Sequence, residues 1–351
     1  MALDSLGVLD ALQAVPEQLA AAHEAAAMVT QDLALPDPGD FDNIVIMGMG
    51  GSGIVGDVVQ SVGTATLPVP VVVLKYYRTP AFVGPRSLAF AVSYSGGTEE
   101  TLEMARGAFD AGARVVAVTA GGELAALAEE RGGLHLPVTP DIPMPRLALC
   151  AMVAPVFVML FRMGMLPEAH AGMTQAQGQL ARRRDQCKPD VAAPTNPARE
   201  LARKVGRTIP VIHGAGGLGA VAAMRWKQSI NENAKAPAFW NVYPELNHNE
   251  ICAWGQHGDV TRQILTLVNL RHGLEHERLE SRMRLTTELV QEAFVQVLEV
   301  EAGGQGRIAQ LLDLAYLGDW MSAYLALDND VDPGPIDAIA QLKSALADGA
   351  G

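Results

Sequence analysis

The sequence of 351 residues is poor in cysteine and holds no long apolar run. Its three cysteines lie far apart in the chain, so they offer neither zinc-ligand spacing nor a disulfide framework. Without that framework a reducing compartment is indicated, and we expect a cytoplasmic protein. The longest apolar run, 147–161, is shorter than the roughly 20 residues that span a bilayer, and it predicts a buried helix. The N-terminal stretch has early aspartates and no basic segment, so no signal peptide is expected.

Positive charge is also scarce, because Lys and Arg number 26 against 39 Asp and Glu, a formal net charge of −13. A nucleic-acid partner is therefore not expected, since neutralising phosphates takes clusters of Lys and Arg. A membrane partner is not expected either. A small phosphate ligand remains compatible with this composition, because backbone N–H groups at the start of a helix bind anions without net positive charge.

Short apolar segments alternate with helical ones, which is typical of parallel sheets covered by helices. The predicted strands of the first half are 43–47, 69–74, 87–93, 114–119 and 135–138. After a polar segment, 182–197, the pattern recurs with strands 208–213, 238–242 and 264–268 and with helices 220–234, 273–295, 306–326 and 335–347.

The predicted fold class is α/β, with two similar domains that are each a mainly parallel sheet flanked by helices on both faces. We expect residues 1–180 to form the first domain, with a leading helix, and 195–351 to form the second, with terminal helices. Such a duplicated sheet is expected to bring both sets of strand C-termini to one cleft, because open α/β sheets bind ligands at that edge.

A glycine cluster, GMGGSG at 48–53, follows the first predicted strand and precedes a helix. Glycines let the backbone approach a ligand closely, and the helix start favours an anion. Gly48, Gly50 and Gly53 also fit the GxGxxG spacing of dinucleotide-binding proteins, so a nicotinamide dehydrogenase is one candidate function. The end of the next strand, 73–75, carries no acidic residue for a ribose, and a tight turn without any ligand is a further alternative.

Three hydroxyl side chains, Ser93, Ser95 and Thr98, occupy one predicted strand–helix turn. Hydroxyls and the N–H groups of a helix start can all donate to a phosphate, and the absence of a P-loop lysine favours a monophosphate. Helix capping by Ser95 or Thr98 is the alternative. Capping accounts for one hydroxyl but not for three.

GMGGSG followed by SYSGGTEE resembles the sugar isomerase (SIS) fold. The segments RWKQSINENAK at 225–235 and PELNHNE at 244–250 sharpen this, because together they resemble the bifunctional phosphoglucose/phosphomannose isomerases. Further matches are found at 145–146, 317–319, 324–325, 332–333 and 342–343. The resemblance spans roughly 40–345 and implies interconversion of glucose 6-phosphate, and in that family also mannose 6-phosphate, with fructose 6-phosphate through a cis-enediol.

The resemblance also implies roles for individual residues, with no cofactor and no metal. The residues implied to bind the substrate phosphate are Gly51, Ser52, Ser93, Ser95 and Thr98. Arg146 would stabilise the enediolate and Glu232 would move the proton between C1 and C2. His248 and Lys343 would act at the ring-opening end. In the family the histidine reaches the site from the neighbouring subunit, which implies a homodimer.

The chemistry independently calls for such a set. One carboxylate can serve both carbons of a planar enediol, a fixed cation can stabilise the oxyanion, and an imidazole can exchange a proton near neutral pH. Each residue also has a structural alternative: Glu232 as a solvated helix residue, His248 held by its asparagine neighbours, and Arg146 as a helix cap. Glu245 and Glu250 are expected to support the loop of His248.

A non-catalytic regulatory protein that binds sugar phosphates is the main alternative function. It would need the hydroxyl turn but no base, and the presence of Glu232, His248, Arg146 and Lys343 argues against it.

Two positions depart from the family pattern. Gly97 stands where the family usually has Asn, which removes local hydrogen bonds from the turn. Gly334 stands where the family tends to carry Thr, and 331–342 contains no Ser or Thr. The resemblance therefore supports activity on glucose 6-phosphate more strongly than on mannose 6-phosphate.

Overall fold

The computed structural model of the protein describes residues 3–347 and residue 349. The strands are β1 Asn43–Met47, β2 Val71–Leu74, β3 Ser87–Val92, β4 Arg114–Thr119, β5 Leu134–Pro137, β6 Ile209–Ala215, β7 Phe239–Tyr243, β8 Leu265–Arg271 and β9 Gln296–Glu301. The helices are α1 Val8–Gln13, α2 Val15–Thr30, α3 Gly50–Gly63, α4 Glu99–Asp110, α5 Gly122–Glu130, α6 Leu149–Arg162, α7 Ala169–Cys187, α8 Pro197–Val205, α9 Gly216–Ser229, α10 Gly258–Ile264, α11 Glu277–Val290, α12 Gly306–Asp328 and α13 Asp337–Ala347.

The strands form two separate parallel sheets. The first has the order β2-β1-β3-β4-β5 and the second the order β7-β6-β8-β9. The first four strands of each half thus repeat one order, which is what a duplication of the strand–glycine turn–helix unit produces. The predicted fold class, two parallel sheets flanked by helices, is confirmed.

The strand β9 was not predicted from the sequence. It lies at the edge of the second sheet, and its residues alternate between exposed and buried positions toward its end. The sequence QVLEVE therefore lacks the continuous apolar run that marks strands such as β1 and β3, because one of its faces remains partly solvated.

The two halves share one hydrophobic core. The long helix α12 is buried along most of its length and packs against α7, α8 and α9. Its Asp313 accepts hydrogen bonds from Arg183 and Gln179 of α7, and the hydroxyl of Tyr316 donates to the carbonyl oxygen of Leu12 in α1. The helix α6, which contains Pro155, is buried as predicted.

Because of this sharing, the division into domains 1–180 and 195–351 stays a prediction, although each sheet lies within one of them. The terminal residues 1, 2, 348, 350 and 351 of those ranges lie outside the described part of the chain. The polar segment 182–197 is only partly a linker, because α7 continues through its first six positions. Among the described residues, no helix is both long and apolar enough to cross a membrane.

The helices α3 and α9 pack against each other in opposite directions. An ideal Cβ on Gly51, at the start of α3, would lie 3.1 Å from the Cα of Arg146, whose side chain bonds to the segment after α9. An ideal Cβ on Gly217, at the start of α9, would lie 3.0 Å from Oγ of Ser61, near the end of α3. The C-terminal edge of the first sheet therefore meets the N-terminal edge of the second. The expectation that both C-terminal edges meet is wrong, since antiparallel packing of the two helices reverses the second sheet.

Candidate active site

The hydroxyl turn between β3 and α4 has the predicted position at the C-terminal edge of the first sheet. Oγ of Ser93 donates to Oγ1 of Thr98 over 3.0 Å, and the backbone N–H of Gly97 donates to Oγ of Ser95 over 3.3 Å. Thr98 is the N-cap residue of α4, yet its side chain caps no N–H group of the helix. The capping alternative is therefore not realised, and the first N–H groups of α4 have no side-chain partner among residues 3–347.

Ser52 joins this turn to the neighbouring glycine turn. It is buried in the first turn of α3, where its Oγ accepts the N–H of Tyr94 over 3.2 Å. The hydroxyl of Tyr94 in turn donates to the carbonyl oxygen of Ile142 and accepts its N–H. These contacts hold the starts of α3 and α4 side by side, so both helix dipoles present their positive ends at one edge of the sheet.

The adjacent glycines of the turn, Gly96 and Gly97, meet different demands. Gly96 has a φ of +68°, and a Cβ there would lie 1.8 Å from the carbonyl oxygen of Gly121. Gly97 has ordinary backbone geometry and open space where a side chain would begin. The turn is closed by the N–H of Gly96 bonding to the carbonyl oxygen of Ser93, together with the Gly97–Ser95 bond. The usual Asn at 97 is therefore not needed to close it.

Arg146 lies in a short 3₁₀ turn, Pro145–Leu147, and is 3% exposed. Its Nε donates to Oδ1 of Asn233 over 2.8 Å, and its Nη2 donates to the carbonyl oxygens of Pro333 and Gly334 over 2.8 and 2.6 Å. These partners all come from the second half of the chain, so Arg146 does not cap α6. Burial lowers the pKa of Arg146 while the negative charge of Glu232 opposes that shift, and a guanidinium stays protonated in either case.

The remaining nitrogen of Arg146, Nη1, is buried and has no hydrogen-bond partner within the described residues. Oε2 of Glu232 lies 4.0 Å from it, too far for a hydrogen bond. A buried donor without a partner costs free energy, on the order of 1–3 kcal/mol or more for a charged group. At the gap between Nη1 and this carboxylate, the described residues thus leave one hydrogen-bonding group of the guanidinium unused.

Glu232 lies in a π-helical turn, Ile230–Ala234, that extends α9. Its side chain is 23% exposed, and no hydrogen bond to it is found in the described part of the chain. The wider π turn ends at Lys235, which has a φ of +52°. Such turns are common at functional sites because they re-aim side chains at the end of a helix. The turn directs the carboxylate towards the Arg146 guanidinium.

A buried network of polar side chains lies behind Arg146. The sequence assigned no role to these residues, although several belong to the segments that resemble the family. Arg225 donates to the carbonyl oxygen of Arg146 and to Oδ2 of Asp319, the latter over 3.0 Å. Ser229 donates to the same carboxylate, and Asn233 donates to Oγ of Ser322 over 2.9 Å. The sequence alone does not indicate which polar residues of α9 and α12 face each other. The one available indication that they matter was that segments 225–235 and 317–319 match the family.

His248 is not brought to Glu232 within one chain. It is exposed in a 3₁₀ turn, Glu245–His248, that follows the C-terminal end of β7. Glu232 lies beyond the far end of α9, and α9 starts at that same sheet edge and has 14 residues. At 1.5 Å per residue, α9 is about 20 Å long, so the two residues lie near opposite edges of the second sheet.

Lys343 lies in α13, where its side chain is exposed. Neither a hydrogen bond nor an ion pair links it to Arg146 or Glu232 in the described part of the chain. No group of three or more His, Cys, Asp and Glu side chains among the described residues is arranged to hold a metal ion. The expectation of a reaction without metal or cofactor stays a prediction.

The two parallel sheets with their covering helices define a protein with a fold shared by several solved structures. A putative phosphosugar isomerase from Clostridium difficile 630 superposes with a TM-score of 0.68 at 12% identity, covering 93% of this chain and 95% of that one. A hypothetical protein from Thermus thermophilus gives a TM-score of 0.71 at 16% identity, covering 98% of this chain and 91% of that one. At these identities the likeness concerns the fold alone.

The family follows from sequence relatives. The profile of the bacterial phospho-glucose isomerase C-terminal SIS domain matches residues 194–346. The bifunctional phosphoglucose/phosphomannose isomerase of Caldicellulosiruptor bescii is 34% identical over 334 residues, which cover 95% of this chain and 97% of the relative. The chain belongs to the bifunctional phosphoglucose/phosphomannose isomerase family, and the resemblance found in the sequence is confirmed.

The neighbouring glycines of the hydroxyl turn give a matched pair of substitutions. Gly96→Ala should destabilise the protein by at least about 1–2 kcal/mol, because the left-handed backbone alone costs that much before the clash with Gly121. Gly97→Ala should change stability by less than about 0.5 kcal/mol. Urea unfolding of both variants measures the difference, and equal stabilities would contradict the turn geometry described here.

Proposed function

We propose that the protein is an aldose–ketose isomerase that interconverts glucose 6-phosphate and fructose 6-phosphate through a cis-enediol intermediate. The observation that carries the proposal is the gap between Nη1 of Arg146 and the carboxylate of Glu232, which pairs a buried free cation with an accessible base. An ideal Cβ on Gly51 would lie 3.1 Å from Cα of Arg146, so the start of α3 packs beside this gap, which supports a substrate that reaches both places.

In this proposal the substrate is anchored by its phosphate. The hydroxyls of Ser93, Ser95 and Thr98 and the N–H groups at the starts of α3 and α4 donate to the phosphate oxygens. Ser52 and Gly51 support the anchor by holding the two helix starts together and close to Arg146. A phosphate fixed at one end leaves C1 and C2 of the opened sugar near Glu232.

The chemical step is a proton transfer without net oxidation. Glu232 takes the proton from C2 of the aldose, the electron pair of that C–H bond forms the enediolate, and the C1 carbonyl oxygen becomes negative. Nη1 of Arg146 donates to this oxygen and stabilises the charge. The proton of the C2 hydroxyl passes to O1, and the negative charge moves from O1 to O2. As the carboxylic acid returns its proton to C1, the C2–O bond becomes the carbonyl of the ketose and Glu232 is a carboxylate again. No redox cofactor enters these steps.

Ring opening is assigned to His248 and Lys343, and it requires a second subunit. Since His248 and Glu232 lie at opposite ends of the second sheet, a histidine of the neighbouring chain has to complete the site. The exposed apolar side chains Ile339, Leu342 and Leu346 of α13, together with Phe239 on the edge strand β7, offer surface for such a homodimer.

Gly334 bears on the choice between epimers at C2. An ideal Cβ at this position would lie 2.8 Å from Cβ of Leu6, so the N-terminal segment fills the space of a side chain there. The segment is fixed by the N–H of Ser5, which donates to the carboxylate of Asp332. We propose glucose 6-phosphate as the preferred aldose, with mannose 6-phosphate a weaker substrate.

Cytoplasmic location belongs to the same proposal and rests on the three scattered cysteines. A regulatory protein that only binds sugar phosphates would have no use for a carboxylate beside a guanidinium nitrogen, Nη1 of Arg146, that has no partner among the described residues. Turnover by the purified protein decides between the two.

Substitution of the base tests the proposed chemistry. The wild-type protein should convert fructose 6-phosphate to glucose 6-phosphate without added metal or nucleotide and in the presence of a chelator. Glu232→Gln should lower kcat by about 10²–10⁴-fold while fructose 6-phosphate still binds, because the amide keeps the shape but not the basicity. The control Glu288→Gln, in an exposed ion pair with Arg284, should keep full activity. A fully active Glu232→Gln enzyme would rule out Glu232 as the base.

Subunit mixing tests the shared site. Each hybrid dimer of Glu232→Gln and His248→Ala chains holds one intact site, so random exchange of equal amounts should restore about one quarter of wild-type activity. A mixture of Glu232→Gln with Glu232→Ala chains has no intact site and should stay inactive. No recovery in the first mixture, with hybrids detected by native mass spectrometry, would place the whole site within one chain.

A further inference from the structure

The carboxylate of Glu250 has two partners in the second sheet. Its Oε1 lies 2.8 Å from Nε2 of His213, and its Oε2 accepts from Nδ2 of Asn241 over 2.6 Å. His213 is in β6 and Asn241 is in β7, and they are direct neighbours in the parallel register. The end of the loop that carries His248 is therefore bound to the middle of the sheet.

The loop is held on both sides of His248. Before it, Leu246 is buried and Asn247 donates to Oγ1 of Thr286 over 2.7 Å. After it, Oδ1 of Asn249 accepts the N–H of Glu250 over 2.6 Å. His248 lies between these anchors, with an exposed side chain that takes no hydrogen bond from the described residues.

The two glutamates of the loop differ in their surroundings. Glu245 is exposed and bonds only to Asn249 within the loop itself, as far as the described residues go. Glu250 instead faces His213, a side chain with no exposed surface. Burial raises the pKa of Glu250, but the hydrogen bonds from His213 and Asn241 outweigh it and lower the pKa, so the group remains a carboxylate.

His213 is fully buried, whereas the side chain of Glu250 is 24% exposed. Loss of the contact would leave Nε2 of the buried imidazole without a partner, so the contact favours the loop conformation in which both bonds of Glu250 are made. We propose that Glu250 is a positioning residue that holds His248 in place for ring opening through its bonds to His213 and Asn241. The inference rests on the proposed role of His248. It also gives a structural role to His213, for which the sequence alone predicted none.

A double-mutant cycle tests the inference. In the wild-type background, Glu250→Ala should lower kcat/KM for glucose 6-phosphate by about tenfold or more, mainly through kcat, because a misplaced catalytic group slows the reaction while phosphate binding persists. In the His248→Ala background the same substitution should cost less than about twofold, since no imidazole remains to be positioned. Residual rates can be followed by deuterium exchange at C1 and C2 of the sugar.

Three further variants complete the test. Glu250→Gln should recover most of the activity, because the amide oxygen can accept from Asn241 while the amide nitrogen lies beside Nε2 of His213. Asn241→Ala removes only one of the two bonds and should give the same pattern with a smaller loss of kcat/KM. It replaces Glu250→Ala in the cycle if that variant fails to fold. Glu288→Ala, a surface control, should leave activity unchanged.

The outcomes separate this inference from the proposed function. An equal loss of kcat/KM in both backgrounds, or full activity of Glu250→Ala, would overturn the positioning role of Glu250. The proposed roles of Glu232 and His248 would not be affected by either result. A silent His248→Ala substitution would instead remove the histidine from the proposed reaction, and the positioning role would fall with it.

Discussion

The arrangement of the site depends on one buried arginine. Arg146 comes from the first half of the chain, and its Nε and Nη2 bond to Asn233 and to the backbone at Pro333 and Gly334 in the second half. A second buried arginine, Arg225, supports its backbone and is itself neutralised by Asp319. With two of its three nitrogens used for structure, Arg146 keeps one donor free and fixed, which is the condition for stabilising charge that appears only during a reaction.

The antiparallel packing of α3 on α9 decides which edges of the two sheets meet. It brings the hydroxyl turn of the first sheet to the π turn that carries Glu232, and it leaves the glycine turn of the second sheet on the other side of the molecule. The same geometry sends the loop of His248 away from Glu232. One feature of helix packing therefore accounts both for the contact between the first half and the π turn and for the separation of His248 from Glu232.

The sequence predicted much of the fold because its signals are local. β1, β3 and β4 are apolar runs that end at glycine or hydroxyl turns, and their predicted bounds agree with the structure to within a residue. The residues of the hydroxyl turn likewise come together because they are close in sequence. β9 was missed because an edge strand with one solvated face carries a weaker pattern.

Other features depend on contacts between distant segments and could not be predicted from the sequence. The network of Arg225 and Asp319 joins residues that are 94 positions apart, and the bond between Glu250 and His213 spans 37 positions. Nor does any local pattern specify the relative direction of α3 and α9. These contacts between distant segments determine where the side chains of the candidate site lie, whereas the local patterns determine only which segments form strands, turns and helices.

In the proposed reaction, the gap between Nη1 of Arg146 and Glu232 binds the enediolate more tightly than it binds the substrate sugar. The most direct measurement compares, by calorimetry, how Arg146→Met changes the affinity for fructose 6-phosphate and for a phosphorylated hydroxamate that mimics the planar enediolate. We expect Arg146→Met to lower the affinity for the mimic by about 10²-fold or more and the affinity for the sugar phosphate much less. Equal losses for both ligands would contradict it, because Arg146 would then serve substrate binding alone.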